Sequence, residues 1–280
     1  MNDQPESLYD PIWVTNYFNE FGDQEFDRLV KTPAREIQLA VHNDILADHI
    51  RQYDNVLEIG AGPGRFTHFL NSLGARITVT DISEVQLSLN KENADRLGFA
   101  EGVNEWRQLD MCDMTCFADA SFDAVVAFGG PLSYVLDKRD IAIQECIRVT
   151  KPGGVILMSV MCLWGTFHQY LDGVLGFSSE DNHRIIESGD LTTSNSKMAT
   201  HFCHLFRSQE LRAFLESYKL EVIDIAASNV LTPVHADHLN EIRKDEIKWR
   251  QVLDLELIAC REPGNLDAGT HLIVAARKPI

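Results

Sequence analysis

The chain has little of what would tie it to a polyanion, a membrane or an oxidising compartment. It carries 25 Lys and Arg against 42 Asp and Glu, a formal net charge of −17, and no basic run longer than two residues. A protein that grips duplex DNA or tRNA gains most of its affinity by neutralising phosphates with a basic stripe. The acidic balance therefore argues against a nucleic-acid partner. Cysteine is sparse. Cys112, Cys116, Cys146, Cys162, Cys203 and Cys260 form no CxxC pair, and six in 280 residues do not build a disulfide scaffold. The longest apolar stretch, VILMSVMCLWG at 155–165, falls short of the roughly 20 residues that cross a bilayer. The opening MNDQPESLYDP is polar and acidic, unlike a signal peptide. The expectation is a cytoplasmic protein, monomer or homodimer, without membrane insertion.

What is present is an α/β alternation. The composition is 45% hydrophobic, and 280 residues suit one or two domains. From residue 55 onward, NVLEI reads as a strand and RFTHFLNSLG as a helix. ARITVTD reads as a second strand ending in Asp81. Ser83 with Gln86 three residues on has the form of a capping box, opening a helix with Val85, Leu89 and Leu97 on one face and Gly98 at its end. EWRQLD and FDAVVAFGG read as strands three and four. DKRDIAIQECIRVT reads as a helix opened by Asp137 and broken by KPGG, and VILMSV as strand five. A further helix, SQELRAFLESYK, precedes two late strands, LEVIDIAAS and HLIVAARKP. Alternation of this kind implies right-handed βαβ units on a parallel sheet. Three segments fall outside it: a helical N-terminal cap over 1–50, and insertions at about 161–206 and 231–270 within a core of 51–280. Additions at one edge of an open sheet often cover a ligand, so both insertions are expected on the acceptor side.

The stretch EIGAGPGRFT (58–67) places Gly60, Gly62 and Gly64 directly after a strand. A dinucleotide fingerprint is G-x-G-x-x-G, and here the third glycine comes one residue early. No P-loop lysine follows, since Arg65-Phe66-Thr67 stands where G-K-[ST] would be. Asp81 lies at the end of the next strand, where a carboxylate accepts from both hydroxyls of a ribose. Asp110, ending strand three, is placed to accept from an adenine amine, with Met111 against the ring face.

These stretches in their order, VLEIGAGPGRF, TVTDIS, QLDM, FDAVVAFGGPLSYV and RVTKPGGVILMSV, resemble class I S-adenosylmethionine-dependent methyltransferases, in their small-molecule and quinone-type branch (the type 11/25-like group). The resemblance implies a Rossmann-like, doubly wound seven-stranded sheet of order 3-2-1-4-5-7-6 with strand 7 antiparallel, and S-adenosyl-L-methionine as cofactor with S-adenosyl-L-homocysteine as product. It implies contacts from Gly60, Ala61, Gly62 and Gly64 to the methionine part, with Glu58 supporting that loop. Asp81 and Ile82 would hold the ribose and adenine, Asp110 and Met111 would frame the adenine, and Phe128 and Gly129 would border the sulfonium.

For the acceptor, GGPLSYV after strand four lacks the Asn/Asp-Pro-Pro-aromatic pattern that grips a nucleobase amine. A small-molecule acceptor is expected, held by Tyr17, Pro131, Tyr134 and His168. Tyr134, His168, Tyr170 and His183 are candidates for a general base, although methyl transfer from a sulfonium can run on positioning alone. HFCH (His201, Cys203, His204) and HADH (His235, His238) invite a metal, but no carboxylate is fixed near them, and none is expected. A binding protein on the same fold, a tRNA or rRNA methyltransferase, an aminopropyl transferase and a nicotinamide oxidoreductase stay as alternatives. The aminopropyl transferases read G-G-G-D-G where this chain has Ala61 and Pro63.

Overall fold

The computed structural model describes residues 7–22, 24–233 and 236–280. Three helices, α1 (Pro11–Phe21), α2 (Gln24–Asp27) and α3 (Pro33–His49), precede the first strand, β1 (Asn55–Ile59). Next come α4 (Arg65–Ser72), β2 (Arg76–Asp81), α5 (Glu84–Leu97), β3 (Val103–Gln108), β4 (Phe122–Ala127), α6 (Pro131–Tyr134), α7 (Arg139–Val149) and β5 (Thr150–Met161). The segment after β5 folds as α8 (Leu163–Gln169), α9 (Leu171–Val174), α10 (Ser179–Ser188) and a short ladder, β6 (Asp190–Leu191) with β7 (Cys203–His204). The chain closes with α11 (Ser208–Ser217), β8 (Glu221–Ala227), α12 (Ala236–Ile242), α13 (Glu246–Ala259) and β9 (His271–Arg277).

The main sheet runs β3-β2-β1-β4-β5-β9-β8. With the β6–β7 ladder set aside, this is the expected 3-2-1-4-5-7-6. Its first five strands are parallel, and β9 lies antiparallel between β5 and β8. Side chains alternate between the two faces of a strand, so Val56 and Leu57 enter different layers. Leu57, Val125 and Ile156 pack with Ala142, Ile143 and Cys146 of α7 and Leu211 and Leu215 of α11. Val56, Ala124 and Leu157 pack on the other face with Val41 and Ile45 of α3 and Leu70 of α4. Burial of both faces explains why these strands read as unbroken apolar runs. Strand order reverses at β1, between β2 and β4, which opens a crevice at the carboxyl ends of β1 and β4.

Three local expectations are corrected. The inward face of α5 is Gln86, Leu87, Asn90 and Ala94; Val85 is 41% and Leu97 38% exposed. Polar bonds set this rotation. Gln86 Nε2 donates to Phe18 O (2.8 Å), and Asn90 Nδ2 donates to Gly62 O (3.1 Å) and Thr67 Oγ1 (3.0 Å). Ser83 caps α5 by accepting from Gln86 N at 3.1 Å, but the Gln86 side chain is spent on α1 rather than on closing a capping box. Asp137 does not cap α7. It precedes that helix in a 3₁₀ turn and accepts from Tyr9 N at 2.9 Å, tying down the N-terminal segment. KPGG does follow the end of α7 as expected, and Lys151–Gly154 belongs to β5.

The cap and the 161–206 insertion share one apolar cluster, in which Val14 of α1 meets Tyr134 of α6, Leu163 of α8, Ile185 of α10 and Cys203 and Leu205 around β7. The 231–270 insertion lies elsewhere. Arg261, following α13, pairs with Asp44 (2.8 Å) and Asp48 (3.1 Å) of α3 and Asp224 (3.3 Å) of β8. This fastens the insertion to α3 and the sheet edge.

Candidate active site

The crevice beyond β1, β2 and β4 holds a cleft of about 880 Å3 of empty space. Gly60 turns the chain out of β1 with φ +64°, and a Cβ there would stand 2.7 Å from Pro131 Cγ, so only glycine lets the loop and α6 approach. Gly60, Ala61 and Gly62 line one wall, Asp81 and Ile82 the next, Asp110 and Met111 a third, and Phe128, Gly129 and Pro131 close the β4 end. Asp81 is 6% exposed. Its Oδ2 accepts from Gly62 N and its Oδ1 from Ser83 N, both at 2.8 Å, so it ties the glycine loop to the start of α5 while keeping free lone pairs. Burial raises its pKa to about 6, against the pull of those N–H bonds. Asp110 accepts from Cys112 N (2.8 Å) and from the Tyr9 hydroxyl (2.8 Å), which brings the N-terminal segment over this end. Burial, and then the Asp110 charge, push the Tyr9 phenol well above its ordinary range.

Two expected positions do not line the cleft. Glu58 is 2% exposed beneath it and accepts from Thr67 Oγ1 at 2.7 Å. Its strand alternation points it away from the crevice, and burial pushes its carboxyl up to about 8. Gly64 serves α4 as its N-cap, and a Cβ there would press the Asn90 side chain at 3.1 Å.

A second cavity, about 1460 Å3 of empty space, adjoins the first. Phe18, Glu25, Arg28, Gly129 and Tyr134 line both. Gly129 has φ +89°, and a Cβ added there would meet nothing within 4 Å, so it leaves an opening where the two cavities join. The walls of this chamber are largely apolar and aromatic, with Tyr17 and Phe21 from α1 facing Phe167, Tyr170 and Phe177 from the 161–206 insertion. His201 sits between two phenols, with Nδ1 2.9 Å from the Tyr17 hydroxyl and Nε2 3.3 Å from that of Tyr134. Burial lowers its pKa to about 4, so the imidazole is neutral, and burial likewise drives His271 well below its ordinary value. Tyr134 is 7% exposed and its phenol is pushed well up by burial.

The structure thus brings Tyr17, Pro131 and Tyr134 to these cavities and leaves His168 and His183 exposed outside them. Helix α8 turns Thr166, Phe167 and Tyr170 to the chamber, so His168 falls on its outer side. Of the 231–270 insertion only Thr270, next to β9, lines the chamber among the described residues. His201 and His204 diverge. His204 is held away from the chamber by Asp190 and Glu210, each at 2.6 Å. Among the described residues no three His, Cys, Asp or Glu side chains converge as metal ligands, and His235 lies outside those residues. Among the described residues no helix is long and apolar enough to cross a membrane. Sequence reasoning passed over Tyr9, Glu25, Arg28, Gln86 and His201 as site residues. Only His201 carried a signal: read as a strand, HFCHL puts 201, 203 and 205 on one face and 204 on the other.

Comparison with known proteins agrees with this geometry. A family described as a methyltransferase domain matches residues 57–158, which run from β1 through most of β5. The Bacillus subtilis protein YqeM is 28% identical over 135 residues, 48% of this chain and 53% of the relative. The ubiquinone/menaquinone biosynthesis C-methyltransferase UbiE of Shewanella woodyi is 34% identical over 108 residues, 37% of this chain and 41% of the relative. The chain thus spans about half or less of the length of these two. The tRNA 5-carboxymethoxyuridine methyltransferase of Escherichia coli is 22% identical over 239 residues, 84% of each chain. Among solved structures, the 1,6-didemethyltoxoflavin-N1-methyltransferase of Burkholderia thailandensis superposes with a TM-score of 0.58 at 16% identity, covering 100% of this chain and 94% of the other. The glycine loop, the strand-end carboxylates, the sheet order and the family match together identify residues 57–158 as a methyltransferase domain of the S-adenosylmethionine-dependent kind.

Proposed function

We propose that the protein transfers the methyl group of S-adenosylmethionine to a small-molecule acceptor. One observation carries this reading: a cleft with the cofactor signature opens, past Gly129 and Tyr134, into an aromatic chamber large enough for a whole small ligand. The cleft's chemistry fits the cofactor. Asp81 and Asp110 offer acceptors to hydroxyl and amine donors. The buried Gln86 Oε1 has no partner and lines the same cleft. Glu25 and Arg28, paired at 2.7 Å, present one charge of each sign, as a zwitterionic amino-acid tail requires. When bound, S-adenosylmethionine supplies a methyl already activated by a sulfonium.

The chain's own residues orient the two reactants and exclude water. Met111, Phe128 and the cap aromatics surround them with apolar walls, and Gly129 leaves the passage between them clear. Burial makes the His201 imidazole a weak base, so its contact with the Tyr134 hydroxyl orients that phenol at the passage rather than supplying a general base. His168 takes no part in this scheme.

Thermal-shift and calorimetric titration test the cofactor half: S-adenosylmethionine and S-adenosylhomocysteine are expected to raise the melting temperature and NAD is not. The reading fails if NAD binds and neither S-adenosyl compound does. A screen of metabolite pools with methyl-labelled cofactor tests the acceptor half. A tRNA acceptor is the second reading, favoured by the relative that covers 84% of both chains. The charge of −17 and the aromatic chamber count against it. Label incorporated into tRNA, with a steep dependence on salt, would establish it over the small-molecule reading.

A further inference from the structure

The chamber's charges do not cancel. Among the described residues its charged lining is Glu25, Arg28 and Arg35. Arg28 is neutralised locally, since its Nε lies 2.8 and 2.9 Å from the two Glu25 oxygens. Arg35 has no such partner. It donates from Nη1 to the Gln38 amide oxygen (2.7 Å) and from Nη2 to the Tyr170 hydroxyl (3.1 Å), both neutral, and no carboxylate among the described residues pairs with it. Its surroundings stay neutral one step further out. Gln38 Nε2 donates to Asn229 Oδ1 (3.0 Å) and Thr270 Oγ1 (3.1 Å), and the neighbouring His271 is neutral.

An arginine half-buried among neutral groups and aromatic walls, with no carboxylate on it among the described residues, keeps N–H donors and a charge to offer an anion. This happens in a molecule whose overall balance is strongly acidic. Position adds to the charge. Arg35 lies in the first turn of the 17-residue helix α3, where the helix dipole also favours an anion. Arg28 lines both cavities, whereas Arg35 lines the chamber but not the cofactor cleft. Arg35 therefore stands away from the passage at Gly129, and a group bound to it is not the atom that meets the methyl.

We propose that Arg35 anchors an anionic group, a carboxylate in its simplest form, on an otherwise apolar and aromatic acceptor, and so sets acceptor specificity. The inference rests on the proposed function and names the substrate class of the same site. The remaining guanidinium N–H groups suit a planar carboxylate, with the acceptor's apolar body against the Tyr17, Phe167 and Phe177 walls.

The rival explanation is structural: Arg35 merely clasps α3 to the 161–206 insertion through Tyr170. Calorimetric titration of the full-length protein, with and without saturating S-adenosylhomocysteine, separates the two. The probes are matched pairs of one- and two-ring aryl carboxylates and their neutral carboxamides: benzoate with benzamide and 2-naphthoate with 2-naphthamide. The acid should bind at least about tenfold more tightly than its amide. Arg35→Gln should abolish that preference, Arg35→Lys should retain part of it, and Tyr170→Phe, which removes the clasp and keeps the charge, should leave it intact. Equal affinity for acid and amide, no binding of any acid in the wild type, or a preference that survives Arg35→Gln overturns the proposal. Loss of the preference in Tyr170→Phe to the same degree as in Arg35→Gln assigns Arg35 the structural role and also overturns it. Loss of S-adenosylhomocysteine binding in the wild type speaks against the proposed function. Intact cofactor binding without acid preference speaks against this inference alone.

Discussion

Replacing Asp81 by Asn tests the cofactor cleft most directly. In the wild type both carboxylate oxygens already accept backbone N–H groups, from Gly62 and Ser83, each at 2.8 Å. An Asn must turn its NH2 toward one of these donors, losing that bond and leaving a buried N–H unmet, at a cost of about 1–3 kcal/mol in fold stability. It also removes the charge that would strengthen hydrogen bonds from two ribose hydroxyls. Bonds to charged groups contribute roughly 1.5–3 kcal/mol each, and about 1.4 kcal/mol is a factor of ten in affinity. Affinity for S-adenosylhomocysteine should therefore fall at least about tenfold in Asp81→Asn and in Asp81→Ala, measured by calorimetry at pH 7.5 on samples shown to be folded. The pH profile supplies an independent arm. With burial holding the free protein's Asp81 at about 6, the carboxylate is ionised above that pH and protonated below it. Wild-type affinity should be flat above pH 6 and decline by up to about tenfold per unit below it, and Asp81→Asn should lack that slope. An affinity within about twofold of wild type in either variant would refute the reasoning and move the ribose contact elsewhere.

Glu58, with its carboxyl pushed by burial from 4.5 to about 8, keeps its proton in the fold while the unfolded chain loses it, so stability should decline as pH rises between those values. Melting temperatures of Glu58→Gln should accordingly gain on wild type from pH 5 to 8, and a constant difference would contradict this. His204 is opposed by its own burial, but the bonds to Asp190 and Glu210 win and raise its pKa, so its contribution is complete below the unfolded value of about 6.5 and is lost as pH rises through the folded one. His204→Gln should cost about 1.5–3 kcal/mol near pH 6 and less at pH 9 in urea unfolding; a loss that does not depend on pH argues against the charged form. Gly129→Ala meets no steric obstacle, yet a non-glycine at φ +89° is strained by about 1–3 kcal/mol, which urea unfolding should register as a lower midpoint.

The core was legible because its signals are local. Parallel strands buried on both faces read as apolar runs, the loop after β1 needs its glycines for backbone reasons, and strand ends place Asp81 and Asp110 at the crevice whatever surrounds them. What stayed hidden depends on contacts distant in sequence. Nothing in the helical spacing of α5 says that Asn90 is claimed by Gly62 and Trp106, and those bonds decide which face turns inward. Asp137 has the form of a cap, but Tyr9, 128 residues away, takes its oxygen. Glu25 and Arg28 lie where no motif marks them, and they become site residues because the segment after α1 folds over the glycine loop. Metal spacing drew notice to His201 and His204, whose side chains in fact serve different neighbourhoods.

The cap bounds both cavities. Its anchors fall on the loops that shape the cofactor cleft: Tyr9 on Asp110 (2.8 Å), Asn19 with Ser83 (2.6 Å), Phe18 O with Gln86 (2.8 Å) and Phe26 O with Arg65 (3.0 Å). Its aromatic residues Tyr17, Phe18 and Phe21 form the facing wall of the acceptor chamber. Arg65 donates twice to Phe26 O and stacks on the Phe26 ring, and the apolar cluster of Val14, Trp13 and Phe18 with Ile82 and Tyr134 adds to these polar anchors. Phe18 and the Glu25–Arg28 pair, which these anchors place, line both cavities. The cofactor cleft and the acceptor chamber are therefore bounded in part by the same cap residues, with Gly129 and Tyr134 between them.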